Sequence, residues 1–140
     1  MRDQHADSGG AQPPADVQRP LRIALLSYRS KAHSGGQGIY IRHLSRELAA
    51  LGHDVEVISG PPYPPLDAGP RLTMVPSLDL YREPDPFRVP RPSEFRSAID
   101  VYEFLSMCTG AFPEPLTFSM RARRLLSKRP PEQQPDIILL

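Results

Sequence analysis

The sequence predicts an α/β fold in which helices flank a parallel sheet. Three segments indicate it: an apolar run at 21–27, a helical repeat of apolar residues at 41–51, and a second apolar run at 55–58. A short apolar run without alternation is typical of a strand buried on both faces. A strand, a helix and a strand in forty residues form a βαβ unit, whose connection is right-handed and whose strands are parallel. The predicted arrangement is therefore Rossmann-like.

The composition is that of a globular protein with an unusual amount of proline. The chain has 140 residues, enough for one domain that buries roughly 68% of its unfolded surface. Hydrophobic residues are 39% and charged residues 24% of the total, close to ordinary globular values. Proline is about 13% of the chain against a usual value of about 5%. A purely helical bundle is therefore disfavoured, and long irregular segments are expected.

The charges and the cysteine count exclude several classes of function. Seventeen basic and sixteen acidic residues leave a net charge of +1, so no global field attracts nucleic acid or an anionic membrane. Fifteen of the basic residues are arginine, which fits phosphate binding or, as we favour, a GC-rich genome. The single cysteine, Cys108, excludes an internal disulfide and a cysteine-based zinc site. We expect no metal.

The N-terminal segment and the apolar runs indicate where in the cell the protein is expected. The longest apolar runs, 23–26 and 137–140, are far shorter than the ~20 residues of a membrane helix. The polar N-terminus lacks the apolar stretch of a signal peptide, so we expect a cytoplasmic chain. Residues 1–20 have almost no large apolar side chains and are predicted to be a disordered leader. The domain is then expected to span 21–140.

The first helix is predicted from one apolar stripe. The stripe recurs at i, i+3, i+7 and i+10, which is one face of a 3.6-residue period: Ile41, Leu44, Leu48 and Leu51. Gly52 stands where a helix usually ends in a left-handed glycine. The second strand follows and ends at Gly60.

A proline-rich insertion is predicted at 61–92, where ten of the eighteen prolines lie. It is either a ligand for aromatic-groove domains or, as we favour, an extended segment wrapped on the domain, with a third strand at 72–75. A helix is predicted to start at Ser93 as its N-cap and to run through Cys108, and another follows Pro115. Residues 137–140 read as a last strand buried on both faces.

The glycine loop after the first strand is the main chemical feature. Ligands of parallel sheets bind outside the carboxyl ends of the strands, and glycines there allow a phosphate to approach free backbone amides. Gly35, Gly36 and Gly38 have this position, although a merely flexible turn is the alternative. No lysine follows them, which excludes an NTPase phosphate loop. Ile41 replaces the last glycine of the dinucleotide fingerprint, which disfavours nicotinamide binding.

Residues 22–60, RIALLSYRSKAHSGGQGIYIRHLSRELAALGHDVEVISG, resemble the N-terminus of glycosyltransferase family 4, the retaining enzymes of the GT-B fold. The shared features are the first strand, the Gly-Gly loop, the helix ending in Leu-Gly-His, and the Val-x-Val strand. The resemblance implies that this chain is the N-terminal, acceptor-side half of such an enzyme. It places Gly35, Gly36 and Gln37 near the diphosphate of a nucleotide-sugar co-substrate, without a further cofactor. It leaves His33 and Ser34 as candidates on the acceptor side.

Two departures from the family pattern bear on activity. The nucleotide-sugar pocket of the family, with its glutamate pair, lies in a C-terminal domain that this sequence does not contain. The last strand is followed by no helix to cover it, so we expect an incomplete fold at the C-terminus. The alternatives to a transferase domain are a non-catalytic binding module or truncated fragment, and an unrelated Rossmann-like nucleotide binder. Activity of this chain alone is not expected.

Residues 121–129 contain a cluster of basic side chains, which is a further candidate site. Cations at a helix C-terminus complement the helix dipole, so a solvated helix end is the favoured interpretation. A peripheral contact with an anionic membrane surface is the alternative. The expected partners are therefore a nucleotide-sugar, an acceptor and a C-terminal donor domain, without nucleic acid.

Overall fold

The computed structural model describes residues 19–30, 36–80 and 88–140, which form a parallel sheet with helices on both faces. The sheet has the order β3-β2-β1-β4, and each neighbouring pair is parallel. The helices and strands of the described residues are β1 (Arg22–Ser27), α1 (Gly36–Ala50), β2 (Asp54–Ser59), β3 (Arg71–Met74), α2 (Ala98–Cys108), α3 (Glu114–Ser127) and β4 (Ile137–Leu139), with single 3-10 turns at Pro92–Glu94 and Pro131–Gln133. The predicted Rossmann-like α/β class is confirmed.

Two apolar layers hold the helices to the sheet. Alternate residues of β1 and β2 face α1, and the buried members of this layer are Ile23, Leu25, Ile41, Val55 and Val57. The other face packs against α3, and its buried members are Ala24, Ile58, Val75, Phe118, Ala122 and Leu126. β1 and β2 are buried on both sides because each face has its own helix, as their continuous apolar sequences predict.

The C-terminus of α1 confirms one sequence prediction and corrects another. Gly52 has a φ of +91°, and its amide donates to the carbonyl of Ala49 at 3.0 Å. The amide of His53 donates to the carbonyl of Leu48 at 3.2 Å, which completes a Schellman motif. Leu51, predicted to belong to the buried stripe, is 73% exposed. The prediction was wrong because the helix already ends at Ala50, so Leu51 no longer follows the helical period.

The N-cap of α2 is Ser97 and not Ser93. Ser93 lies in a short 3-10 turn, and α2 begins four residues later. The Ser97 hydroxyl accepts from the amide of Asp100, whose carboxylate accepts from the amide of Ser97 at 2.8 Å. This reciprocal capping box provides hydrogen-bond acceptors for amides at the start of α2. Ser93 has no such role for this helix.

The segment after β2 packs on the domain where the structure describes it. β3 begins one residue earlier than predicted, and Leu78 and Leu80 beyond it are 3% and 1% exposed. These two leucines anchor an irregular chain by apolar burial. The leader prediction for residues 1–20 falls almost entirely outside the described residues.

Among the described strands, β4 pairs with β1 alone, and it is more exposed than its sequence predicts. Its side chains are between 40% and 49% exposed, so the predicted burial on both faces was wrong. Apolar composition reports what a strand prefers, whereas burial requires a neighbouring layer, and no described element covers this edge. Among the described residues, no helix combines the length and the apolar character that crossing a bilayer requires.

A partly buried ion pair links β2 to the chain beyond α3. The guanidinium of Arg129 donates two hydrogen bonds of 2.7 Å to the carboxylate of Glu56, which also accepts from the hydroxyl of Thr73. The hydrogen bonds from Arg129 hold the pKa of Glu56 below its ordinary value of 4.5, although burial opposes this. Arg129 was expected at a solvated helix end, and the structure instead places it in this pair.

We expect Glu56→Gln to lower the free energy of unfolding near pH 7 by about 1–3 kcal/mol, because a buried charge-assisted hydrogen bond is lost. A carboxyl whose pKa is depressed in the folded state stabilises the protein above its unfolded pKa, near 4.5. That contribution is lost as the pH falls through the folded-state pKa. Urea titrations from pH 7 to pH 3 should therefore show the difference between wild type and variant shrinking below about pH 4.5. A constant difference would contradict the assignment.

Candidate functional site at the carboxyl edge of the sheet

The carboxyl ends of β1, β2 and β3 meet at one edge of the sheet. The amide of Gly60 donates to the carbonyl of Ser27 at 3.0 Å, and the amide of Val75 donates to the carbonyl of Ser59 at 2.8 Å. The backbone ladder therefore continues one residue beyond each strand. In open parallel sheets this is the edge at which ligands bind.

Gly60 allows the chain after β1 to pass directly over the end of β2. A Cβ atom at this position would lie 2.6 Å from the carbonyl oxygen of Tyr28, closer than a real side-chain carbon approaches a backbone atom. Any other residue at Gly60 therefore pushes the loop that leads from β1 to α1. The sequence marked Gly60 only as a strand end, and nothing in its neighbours signals the close approach.

We expect Gly60→Ala to lower the free energy of unfolding by about 1–3 kcal/mol, since the added methyl group meets backbone that cannot rotate away. Gly36→Ala is the matched control, because a Cβ atom there meets nothing within 4 Å. Denaturant melts of the two variants measure the difference. Equal stabilities for both variants would show that the loop after β1 moves freely.

Buried serines fix the same loop. The hydroxyls of Ser27 and Ser30 share a hydrogen bond of 2.5 Å, and both residues are fully buried. The amide of Ser30 donates to the carbonyl of Pro62 at 3.1 Å, which links the loop after β1 to the segment after β2. The loop therefore leaves the sheet from an anchored position, and its next residues, 31–35, lie outside the described part of the chain.

The first turn of α1 stands at this edge and is open to solvent. Gly36 and Gln37 are exposed, and Gly38 is buried. The first turn contains no acidic side chain, so nothing in it offsets the positive end of the helix dipole. A Cβ atom on Gly36 would meet only open space, so an anion can approach the backbone there. The role of Gly36 and Gln37 as a phosphate contact stays a prediction.

The other predicted site residues are not described. His33, Ser34 and Gly35 lie in the range 31–35, outside the described residues, and their assignments stay predictions. Within the described ranges, no three histidine, cysteine, aspartate or glutamate side chains are grouped closely enough to hold a metal ion.

An ion pair links the residues after β1 to the start of α3. Arg29, which follows β1, lies 3.4 Å from the carboxylate of Glu114 at the start of α3. Burial raises the pKa of Glu114, and the nearby negative charges of Glu103 and Asp79 add to this effect. The positive charge of Arg29 opposes the shift. Arg29 is thereby paired, just after β1, with a largely buried carboxylate.

A buried ionic cluster holds α2 against α3, and the sequence did not indicate it. One guanidinium nitrogen of Arg121 lies 2.7 Å from the carboxylate of Asp100 and 2.6 Å from that of Glu103. The hydroxyl of Thr117 donates to Glu103 at 3.1 Å. Burial opposes ionisation of Asp100, but the hydrogen bonds from Arg121 and the amide of Arg96 outweigh it and lower its pKa. Arg121 was expected at a solvated helix end, and this prediction was wrong.

Comparisons with known proteins agree with this architecture. A glycosyl transferase 4-like domain model matches residues 35–140. A relative from Mycolicibacterium hassiacum, an MMP alpha-(1->4)-mannosyltransferase, is 70% identical over 110 residues. The match covers 78% of this chain but only 27% of that relative's length. With the Gly-Gly loop, the parallel sheet and the open start of α1, these matches lead to one assignment: the chain belongs to the glycosyl transferase 4-like domain family.

Proposed function

We propose that this chain is the acceptor-side domain of a retaining mannosyltransferase, which moves a mannosyl group from a nucleotide-diphosphate donor to an acceptor hydroxyl. The observation that supports it most directly is the 70% identity to a relative named as a mannosyltransferase. The chain matches 27% of that relative, so the donor-binding part belongs to a further domain in this proposal. A cytoplasmic location remains a prediction.

The start of α1 supports the proposed contact with the donor. The diphosphate that leaves with the nucleotide gains negative charge as the glycosidic bond breaks. Backbone amides that already point at that position stabilise the charge without reorganising. We assign this role to the amides of Gly35 and Gly36, with Gln37 beside them. His33 and Ser34 are the proposed contacts on the acceptor side.

A chimera tests the proposal. The 110 matched residues of the Mycolicibacterium hassiacum mannosyltransferase are replaced by those of this chain, and mannosyl transfer is measured with the donor and acceptor that the relative uses. At 70% identity most contacts to the rest of the enzyme are kept, so we expect kcat/KM within about tenfold of the parent enzyme. A folded chimera that binds donor but transfers no mannose would overturn the proposal.

The 140-residue chain alone separates the alternatives. It is incubated with UDP-, GDP- and ADP-sugars, and both the thermal shift and the release of sugar are followed. Release without a partner indicates an autonomous enzyme, which contradicts our expectation that a second domain is needed. A thermal shift without release indicates a binding module. A shift with free nucleotides that sugars do not increase indicates a module that binds nucleotides without recognising the sugar.

A further inference from the structure

A cavity of about 530 Å³ opens beside the carboxyl end of β3, between the start of α2 and the second half of α3. Its volume is within the range of small-molecule sites, about 300–1,000 Å³. Much of its wall is apolar and is formed by Met74, Val75, Pro76, Leu78, Ile99 and Leu125. None of its lining residues belongs to α1, where the donor contact is proposed.

The described residues that line this cavity have an excess of positive charge. They include five basic and two acidic side chains. Two of the basic side chains are paired with the acids, Arg88 with Glu94 at 3.0 Å and Arg121 with Asp100 at 2.7 Å. The other three make no ion pair with any residue of the described ranges: Arg96, Arg124 and Lys128.

These three cations line the same cavity. Arg124 and Lys128 are four residues apart at the end of α3, where like charges repel and destabilise a helix by a few tenths of a kcal/mol. Arg96 immediately precedes the N-cap of α2. The amides at that end of α2 are already satisfied by Ser97 and Asp100, so the helix terminus is not the binding group. An anion among the three side chains relieves their repulsion.

We propose that this cavity binds a phosphate monoester with an apolar body. The phosphate lies against Arg96, Arg124 and Lys128, since its double negative charge and several acceptor oxygens match two guanidinium forks and an ammonium. The apolar body lies against Ile99 and Leu125. Both soluble phosphate esters and lipid headgroups have this chemistry. The proposal is independent of mannosyl transfer, because binding is measured on this chain without donor.

The direct test is titration of the 140-residue chain with octyl phosphate by calorimetry. We expect saturable binding at least about tenfold tighter than that of inorganic phosphate, because the apolar body adds buried area. Octanol, which lacks the charge, should bind more weakly by a similar factor. Amide chemical shifts should move most near Ile99 and Leu125. Absence of saturation below about 5 mM octyl phosphate overturns the proposal.

Paired variants locate the site. Arg124→Gln should weaken octyl phosphate binding by about fivefold to tenfold, since one charge-assisted contact is lost. Arg123→Gln removes the same charge from the same helix, but Arg123 does not line the cavity, so we expect less than a twofold change. Equal losses in both variants indicate non-specific attraction and overturn the proposal. Thermal melts of both variants check that they are folded.

A vesicle experiment identifies the source of the ligand. The chain is sedimented with phosphatidylglycerol vesicles, with and without octyl phosphate as competitor. Competition supports the cavity and indicates a lipid headgroup, whereas octyl phosphate binding without vesicle binding supports it and indicates a soluble ester. Vesicle binding that octyl phosphate does not displace, in a chain that fails to bind octyl phosphate, overturns the proposal in favour of a surface contact.

Discussion

Arg121→Met should lower the free energy of unfolding by about 3–5 kcal/mol. The substitution keeps much of the apolar volume of the side chain but removes the only cation that touches Asp100 and Glu103 among the described residues. Glu103 is 1% exposed, so its carboxylate has no access to water that could replace the lost partner. Breaking a buried pair from one side is costly because the remaining charge stays in a medium of low polarity. Denaturant unfolding at pH 7 measures the loss.

Two further variants decide whether the loss comes from the stranded charge. Arg123→Met changes an exposed arginine on the same helix and should alter stability by less than about 0.5 kcal/mol. Adding Glu103→Gln to Arg121→Met removes the most buried carboxylate and should recover part of the loss. If the double variant is less stable than Arg121→Met alone, packing and not charge dominates this cluster. If Arg121→Met costs no more than Arg123→Met, α2 and α3 do not depend on the cluster.

Gly36→Val in the chimeric mannosyltransferase should lower kcat/KM for the donor by about 100-fold or more. The new side chain occupies the open space over the first turn of α1, which is where the proposal places the diphosphate. Losing one preorganised contact to a developing charge typically costs 100-fold to 1,000-fold in rate. Gly35→Val is expected to have the same effect if its amide shares the contact. Steady-state kinetics with varied donor concentration measure the change.

The structure makes this test selective for function. A Cβ atom at Gly36 meets no protein atom within 4 Å, and valine forms helix at least as well as glycine, so stability should change by less than about 1 kcal/mol. Ala50→Val, at the exposed far end of the same helix, is the matched control and should leave kcat/KM unchanged. Equal activity of Gly36→Val and the chimera would rule out the donor contact at α1. Loss of activity in both Gly36→Val and Ala50→Val would indicate a general defect in α1.

Local patterns were sufficient for the elements that depend on nearby residues. The apolar runs of β1 and β2 have helices on both faces, and the Leu-Gly-His ending of α1 adopts a Schellman motif around Gly52. A strand with two buried faces needs a largely apolar sequence, and a left-handed helix end favours glycine. Each requirement concerns residues that are close together in the sequence, so the sequence alone shows whether it is met. The Gly-Gly loop and its resemblance to family 4 are equally local.

Tertiary structure alone decided the features that join distant segments. Arg121 and Arg129 look alike in the sequence, as arginines of one basic segment, but one pairs with the acids of α2 and the other with Glu56 of β2. Gly60 is constrained by the carbonyl of Tyr28, thirty-two residues earlier in the sequence. Burial and ion pairing depend on which segments the fold brings together, and composition does not encode that choice.

The α/β class and the position of the glycine loop were thus predictable from the amino-acid sequence, because strand burial and helix ends depend on local sequence patterns. The sequence did not show that Arg96, Arg124 and Lys128 have no ion-pair partner among the described residues, since they differ from their paired neighbours only in where the acids lie in space. The exposure of Met74 was not predictable from the sequence either, because this apolar residue is 59% exposed at the edge of the sheet. Pairing between elements, and not residue type, determines which surfaces of this domain remain available to a ligand.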